Sequence, residues 1–171
     1  MKNCLIVIDM QNDFISGSLG SEDAKKIVPK VKERIENAIA DCYDLYFTKD
    51  THPKNYLETM EGKKLPIEHC IENTPGHNIC DELKDFEKNA KKIFIKYTFG
   101  CEELPKYLSE YDNIYILGLC TDICVVSNAL LIKTFYPEKN IFVEKDCCAG
   151  TSKENHEAAL TVMKCCHIDI I

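Results

Sequence analysis

Cys4-Leu5-Ile6-Val7-Ile8-Asp9 opens the chain with an unbroken apolar run closed by a carboxylate. A strand with one wet face alternates apolar and polar residues. A strand covered on both faces does not, so this run predicts a central strand of a parallel sheet. Outward from it, Ile27, Val31, Ile35, Ala38 and Ile39 recur at helical spacing, with Pro29 expected near the first turn of that helix. A second strand is predicted over Tyr43 to Thr48, a third over Lys92 to Lys96 and a fourth over Asn113 to Gly118. Thr121 is placed to cap a helix opening at Asp122, with Ile123, Val126, Leu130 and Ile132 on its apolar positions. A fifth strand spans Asn140 to Glu144. Thr151-Ser152-Lys153-Glu154 then fits a capping box for a helix through Ala158, Val162 and Cys165, and His167 to Ile171 supply a sixth strand. Strands alternating with helices imply an α/β fold around a six-stranded, mainly parallel sheet with right-handed crossovers. At 171 residues, one domain over 1–171 is expected.

Lysine plus arginine number 21 against 28 aspartates and glutamates, a net charge of −7. That balance argues against a nucleic-acid groove and against a polybasic membrane face. No apolar run approaches the roughly 18 residues of a membrane helix. Met1-Lys2-Asn3-Cys4 leads straight into the first strand, without the features of a signal peptide. The eleven cysteines are odd in number, scattered and free of any CxxC pair. Free thiols in a reducing cytoplasm are therefore expected.

In parallel α/β sheets, sites gather beyond the carboxyl ends of the strands. The residues there are Asp9, Asp50, Lys96, the Cys120–Cys124 segment and Asp146. Cys124 falls in the first turn of the predicted helix, where the dipole and free N–H groups favour a thiolate and can receive an oxyanion. That makes it a candidate nucleophile, although a cysteine there can equally be packing. Asp9 can serve as its proton acceptor and Lys96 as a neighbouring cation. Taken singly, an aspartate that begins a turn and a lysine that snorkels to solvent are the weightier readings.

Asp50-Thr51-His52 and the distant His69 form a loose metal pattern, with Glu61 and Glu58 between them as further oxygen donors. Mixed oxygen and nitrogen ligands suit zinc, manganese or iron. A histidine in a loop is also commonly just a surface residue. The stretch from Asp50 to about Cys80 shows no clear period, and loops of that length in a compact domain are usually functional.

Together, several segments resemble the isochorismatase-like cysteine hydrolases, above all the nicotinamidase branch. They are Ile8-Asp9-Met10-Gln11-Asn12-Asp13-Phe14, Thr48-Lys49-Asp50-Thr51-His52, Glu68-His69-Cys70-Ile71 with Thr74-Pro75-Gly76, Lys96, and Cys120-Thr121-Asp122-Ile123-Cys124-Val125. Each is weak alone, but five in order at strand ends are specific. The resemblance implies a three-layer α/β/α sandwich, a catalytic triad of Asp9, Lys96 and Cys124, and metal ligands Asp50, His52 and His69. It implies Glu61 as a fourth ligand, with Glu58 as the fallback. It also implies a cis peptide bond at Leu119–Cys120 and an oxyanion hole from the backbone N–H groups of Cys120 and Cys124. Phe14 and Leu119 are implied to contact the substrate. Tyr97-Thr98-Phe99-Gly100-Cys101 departs from the family's aromatic-serine pattern, and the chain is short for the family, so lid elements are expected to be trimmed or supplied by a neighbouring subunit.

The expected activity is hydrolysis of a small carboxamide, nicotinamide foremost, through a thioester on Cys124. The expected cofactor is a divalent metal, zinc ahead of manganese or iron, that holds the substrate ring. Family habit implies a homo-oligomer. The alternatives are a sister amidase acting on a carbamoyl or ureido compound, a non-catalytic small-molecule-binding member of the fold, and a thiol redox protein using Cys120 and Cys124. The redox reading leaves Asp9 and Lys96 unexplained.

Overall fold

In the computed structural model, which describes residues 1–171, the opening apolar run forms β1 (Asn3–Ile8). It lies between two parallel neighbours, β2 (Asp44–Asp50) and β4 (Asn113–Leu119). Every residue from Cys4 to Ile8 is completely buried, which is why the run carries no alternation. β3 (Ala90–Lys96) pairs outside β2. β5 (Asn140–Ala149) pairs outside β4, and β6 (Asp169–Ile170) closes that edge. The order β3-β2-β1-β4-β5-β6 is parallel throughout. The chain therefore winds outward on one side of β1, then returns and winds outward on the other. Right-handed crossovers on the two sides put helices on both faces of the sheet, an α/β/α sandwich. The loops leaving β1 and β4 diverge at this reversal and open a crevice beyond the strand ends.

The helices are α1 (Asn12–Ile15), α2 (Glu22–Ala40), α3 (Met60–Lys64), α4 (Val126–Phe135) and α5 (Lys153–Cys165). α2 lays Ala24, Ile27, Val28, Val31, Ile35 and Ala38 against the sheet. Pro29 stands well inside α2, not near its first turn. It is tolerated because it faces solvent, where water can satisfy the carbonyl that its missing N–H leaves free.

Thr121 does not cap the helix after β4. A wide π-type turn at Thr121–Val125 comes first, and the Thr121 hydroxyl pairs instead with His156 Nδ1 (2.8 Å). The cap of α5 is Ser152, whose side chain accepts from Asn155 N–H, so Thr151 and Glu154 do not complete a capping box. β5 runs five residues past the expected Glu144, because its register against β4 shifts and Cys147-Cys148-Ala149 re-enter the core. Asp146 consequently sits on an exposed irregularity within β5 rather than at a strand end facing the crevice. The long loop after β2 carries a short 3-10 turn at Tyr56–Glu58, α3, and a bridge pairing His52 with Ile71.

Candidate active site and metal centre

β4 delivers Cys124. The Leu119–Cys120 peptide bond is cis, Cys120 is extended, and the π-type turn then places Cys124 at the floor of the crevice, 4% exposed. Asn128, fully buried one helical turn on, donates to the Cys124 carbonyl (2.8 Å) and holds Phe99 and Cys101 beside it. The expected depression of the Cys124 pKa does not occur. Burial pushes the thiol well above its ordinary range, the Asp9 charge adds to this, and Lys96 opposes it. At rest the sulfur is a protonated thiol that needs a base.

Asp9 ends β1 with φ 47° and is completely buried. Its Oδ1 accepts a short hydrogen bond from Thr48 Oγ1 (2.6 Å), and its N–H donates to the same hydroxyl (3.2 Å). Its Oδ2 lies 2.7 Å from Lys96 Nζ in a buried ion pair. Burial raises the Asp9 pKa, and Lys96 opposes that rise.

Lys96 ends β3 and reaches three anionic or nucleophilic atoms together: Asp9 Oδ2, Asp50 Oδ1 (3.0 Å) and Cys124 Sγ (3.3 Å). A fourth contact, to the Thr98 carbonyl (3.2 Å), fixes the ammonium. Burial works against its charge, but Asp9, Cys124 and Asp50 outweigh burial and keep it cationic far into the alkaline range.

The second constellation adjoins the first. Asp50, His52 and His69 are all buried, with one ligand atom from each within 4.8 Å of the others. Asp50 Oδ2 lies 2.9 Å from His52 Nε2 and 3.8 Å from His69 Nε2. Glu61, on α3, brings Oε1 to 3.7 Å from both imidazole Nε2 atoms. Four donors about 2.0–2.2 Å from a tetrahedral ion are spaced about 3.4 Å apart, so these side chains fit a divalent metal. His69 Nδ1 donates to the Ile67 carbonyl (2.8 Å), which leaves its Nε2 lone pair aimed at the cluster. Glu58 does not join: it is exposed, and its Oε2 accepts from Asn55. Cys124 from the first constellation and Asp50, Glu61 and His69 from the second line one cavity of about 790 Å³, also lined by Phe14, Leu119 and Phe99. The Phe14 ring packs 5.6 Å from that of His69.

A family model described as the isochorismatase domain matches residues 3–170. The chain belongs to the isochorismatase family. Its relatives place it in the nicotinamidase branch. It is 28% identical to a nicotinamidase of Schizosaccharomyces pombe, over 98% of this chain and 91% of that protein. It is 26% identical to a nicotinamidase/pyrazinamidase of Mycobacterium tuberculosis, over 98% and 97%. Among solved structures, the pyrazinamidase of Pyrococcus horikoshii in complex with zinc superposes with a TM-score of 0.87 at 30% identity, covering 100% of this chain and 99% of that one. This isochorismatase-family chain thus spans that relative nearly end to end. Thr98 and Phe99 stand on the wall where the aromatic-serine pattern is missing.

Four residues escaped the sequence reading. Thr48 and Gln11 lie inside quoted motifs, yet their partners, Asp9 and Asp50, belong to neighbouring strands. Asn128 reads as an ordinary polar helix position. Asp122, two residues before Cys124, anchors the start of the α5 segment through Thr151 N–H (2.8 Å) and the Thr151 hydroxyl.

Proposed function

We propose that this chain hydrolyses nicotinamide to nicotinate and ammonia through a covalent thioester on Cys124. The observation that carries the reading is Lys96 Nζ contacting Asp9, Cys124 and Asp50, with Asp50 also belonging to the adjoining Asp50–His52–His69–Glu61 cluster. The nicotinamidase relatives support an amide C–N hydrolase acting on this ring.

Asp9 Oδ2 takes the proton of the Cys124 thiol, and Lys96 steadies both the carboxylate and the new thiolate. The sulfur attacks the amide carbon and a C–S bond forms. The carbonyl oxygen becomes an oxyanion received by the backbone N–H groups of Cys120 and Cys124. Asp9 then passes its proton to the nitrogen as the C–N bond breaks, so ammonia departs rather than an amide anion. Water attacks the thioester and gives a proton to Asp9; the C–S bond breaks, and Asp9 returns that proton to the departing sulfur, restoring the thiol and the carboxylate. Cys120 contributes its backbone, since burial holds its own thiol near a pKa of about 12.

Asp50, His52, His69 and Glu61 would hold a divalent ion, zinc foremost, which supplies a Lewis-acid anchor for the pyridine nitrogen. Phe14 packs on the ring and Leu119 bounds it. The reading carries with it a cytoplasmic enzyme of NAD salvage that assembles as a homo-oligomer. All eleven cysteines are free, as a reducing compartment would keep them, and no helix is long and apolar enough to cross a membrane.

Ammonia release from nicotinamide by wild type and Cys124→Ala tests the assignment. Release by the wild type and none by the variant is expected. A folded, metal-loaded wild type that leaves nicotinamide intact but cleaves a carbamoyl compound would move the chain to the sister amidases.

A further inference from the structure

Asp50 has to present one oxygen to Lys96 and the other to the histidine cluster, so its backbone must be held. On the β3 side it is, because Asp50 is in register with Lys96. On the β1 side the ladder fails. The β1–β2 register ends at Val7 with Phe47, and the chain turns away at Asp9 with its positive φ. Asp50 would be left with an unpaired N–H and C=O in a buried position, a costly arrangement.

Gln11 repairs the gap with a side chain. Its Oε1 accepts from Asp50 N–H (2.7 Å), and its Nε2 donates to the Asp50 carbonyl (2.8 Å). The amide thus does for Asp50 what the next residues of β1 would have done. The second Nε2 hydrogen goes to the His77 carbonyl (2.9 Å), tying in the far limb of the metal loop. Gln11 is itself completely buried, so both donors and the acceptor are committed to backbone. No other side chain offers an acceptor and two donors at that reach: asparagine is shorter, and glutamate has no N–H.

We propose that Gln11 is the positioning residue that sets the Asp50 carboxylate between Lys96 and the metal ligands. The proposal rests on the metal-ligand reading above. Its test is the zinc affinity of the purified protein, measured by chelator competition, alongside the melting temperature of the metal-free form. Gln11→Glu keeps the shape and the acceptor but faces two carbonyls with an oxygen. Gln11→Met keeps the bulk and removes every hydrogen bond. Tyr46→Phe, which deletes the Tyr46–Tyr111 hydrogen bond far from the cluster, serves as the control.

Either Gln11 variant should bind zinc about 10–100-fold more weakly, while Tyr46→Phe loses stability at unchanged zinc affinity. A merely structural role would lower the melting temperature of the Gln11 variants and leave zinc affinity within about twofold of wild type; that result overturns the proposal. Failure of both variants to fold would overturn it as well, by making Gln11 a determinant of folding. A wild type that binds no zinc would sink the metal-ligand reading and this inference together, whereas a zinc-binding wild type with unaffected variants sinks this inference alone.

Discussion

Asp50 Oδ1 lies 3.0 Å from Lys96 Nζ, and the other oxygen of the same carboxylate lies 2.9 Å from His52 Nε2. One side chain thereby joins the sulfur-bearing half of the cavity to the imidazole-bearing half. Burial alone would raise the Asp50 pKa, but His52 and Lys96 outweigh it and hold the carboxyl below its ordinary value. The ammonium in turn has two carboxylates and the Cys124 sulfur around it, all three buried.

Removing that cation should be costly. Lys96→Met leaves Asp9 buried without a counter-charge and Asp50 with His52 as its remaining partner, and breaking a buried pair from one side costs about 3–5 kcal/mol. Urea unfolding near neutral pH should show a loss of that order. The deficit should shrink as pH falls and the two carboxyls take up protons. Activity should drop on the order of 10⁴-fold, as when a member of a catalytic unit is removed. A variant as stable as wild type at pH 7 would contradict the ion-pair argument.

The pH profile follows from Asp9. Only its ionised form can accept the thiol proton, and burial holds the proton to higher pH than the ordinary aspartate value of about 3.9. The acid limb of kcat/KM should therefore have its midpoint above that value. That midpoint belongs to the coupled groups rather than to one residue. Lys96 stays charged well into the alkaline range, so it should contribute no alkaline limb below about pH 10. Thr48 donates to the Asp9 carboxylate and stabilises the anion. Thr48→Val should shift the acid limb upward by about one to two pH units, taking about 1.5–3 kcal/mol for a hydrogen bond to a charged group. An unmoved or lowered midpoint would refute the assignment of Asp9 as the base.

How much of this was legible in the chain depends on whether a feature is local. The unbroken run Cys4–Ile8 marks β1 because burial on both faces leaves its imprint on every residue. Asp9 and Lys96 are visible because one directly follows a strand and the other ends one, and Cys124 because it lies in the short turn after β4. The direction of the Cys124 pKa was not visible: the helix-terminus argument is local, whereas the burial that outweighs it arises only when distant segments pack together. Thr121 looks like a cap until the π-type turn and His156 are in place. Glu144-Lys145-Asp146 reads as the end of β5, because nothing in those residues tells that Cys147-Cys148-Ala149 rejoin the sheet. Gln11 stabilises a gap that exists only because β1 turns away early.

Metal removal and ligand choice can be checked on the same material. Glu61 faces both imidazoles at 3.7 Å, while Glu58 is turned to solvent. Glu61→Ala should weaken zinc binding and Glu58→Ala should not. For wild type, free zinc at one hundred times its dissociation constant should stabilise the fold by about 2.7 kcal/mol. In a chain of this size that corresponds to a rise in Tm of roughly 5–11 °C over the chelated protein. Equal zinc affinity in the Glu61→Ala and wild-type proteins would remove Glu61 from the ligand set.

The last expectation concerns Gly118, two residues before Cys120. Its φ of 122° is one that side-chain-bearing residues rarely adopt, and a Cβ there would stand 2.1 Å from the Ile8 carbonyl oxygen. That oxygen belongs to β1, one residue before Asp9, so relieving the clash would push β1 and β4 apart at the point where they bring Asp9 and the Cys120–Cys124 segment together. Gly118→Ala combines backbone strain of about 1–3 kcal/mol with overpacking of similar size. It should lower unfolding free energy by roughly 2–6 kcal/mol in urea titration. Whatever folds should be slower in turnover and also in alkylation of Cys124 by iodoacetamide, because the sulfur moves relative to Asp9 and Lys96. A variant with wild-type stability would show that the β1–β4 approach is looser than the register of Ile8 with Gly118 implies.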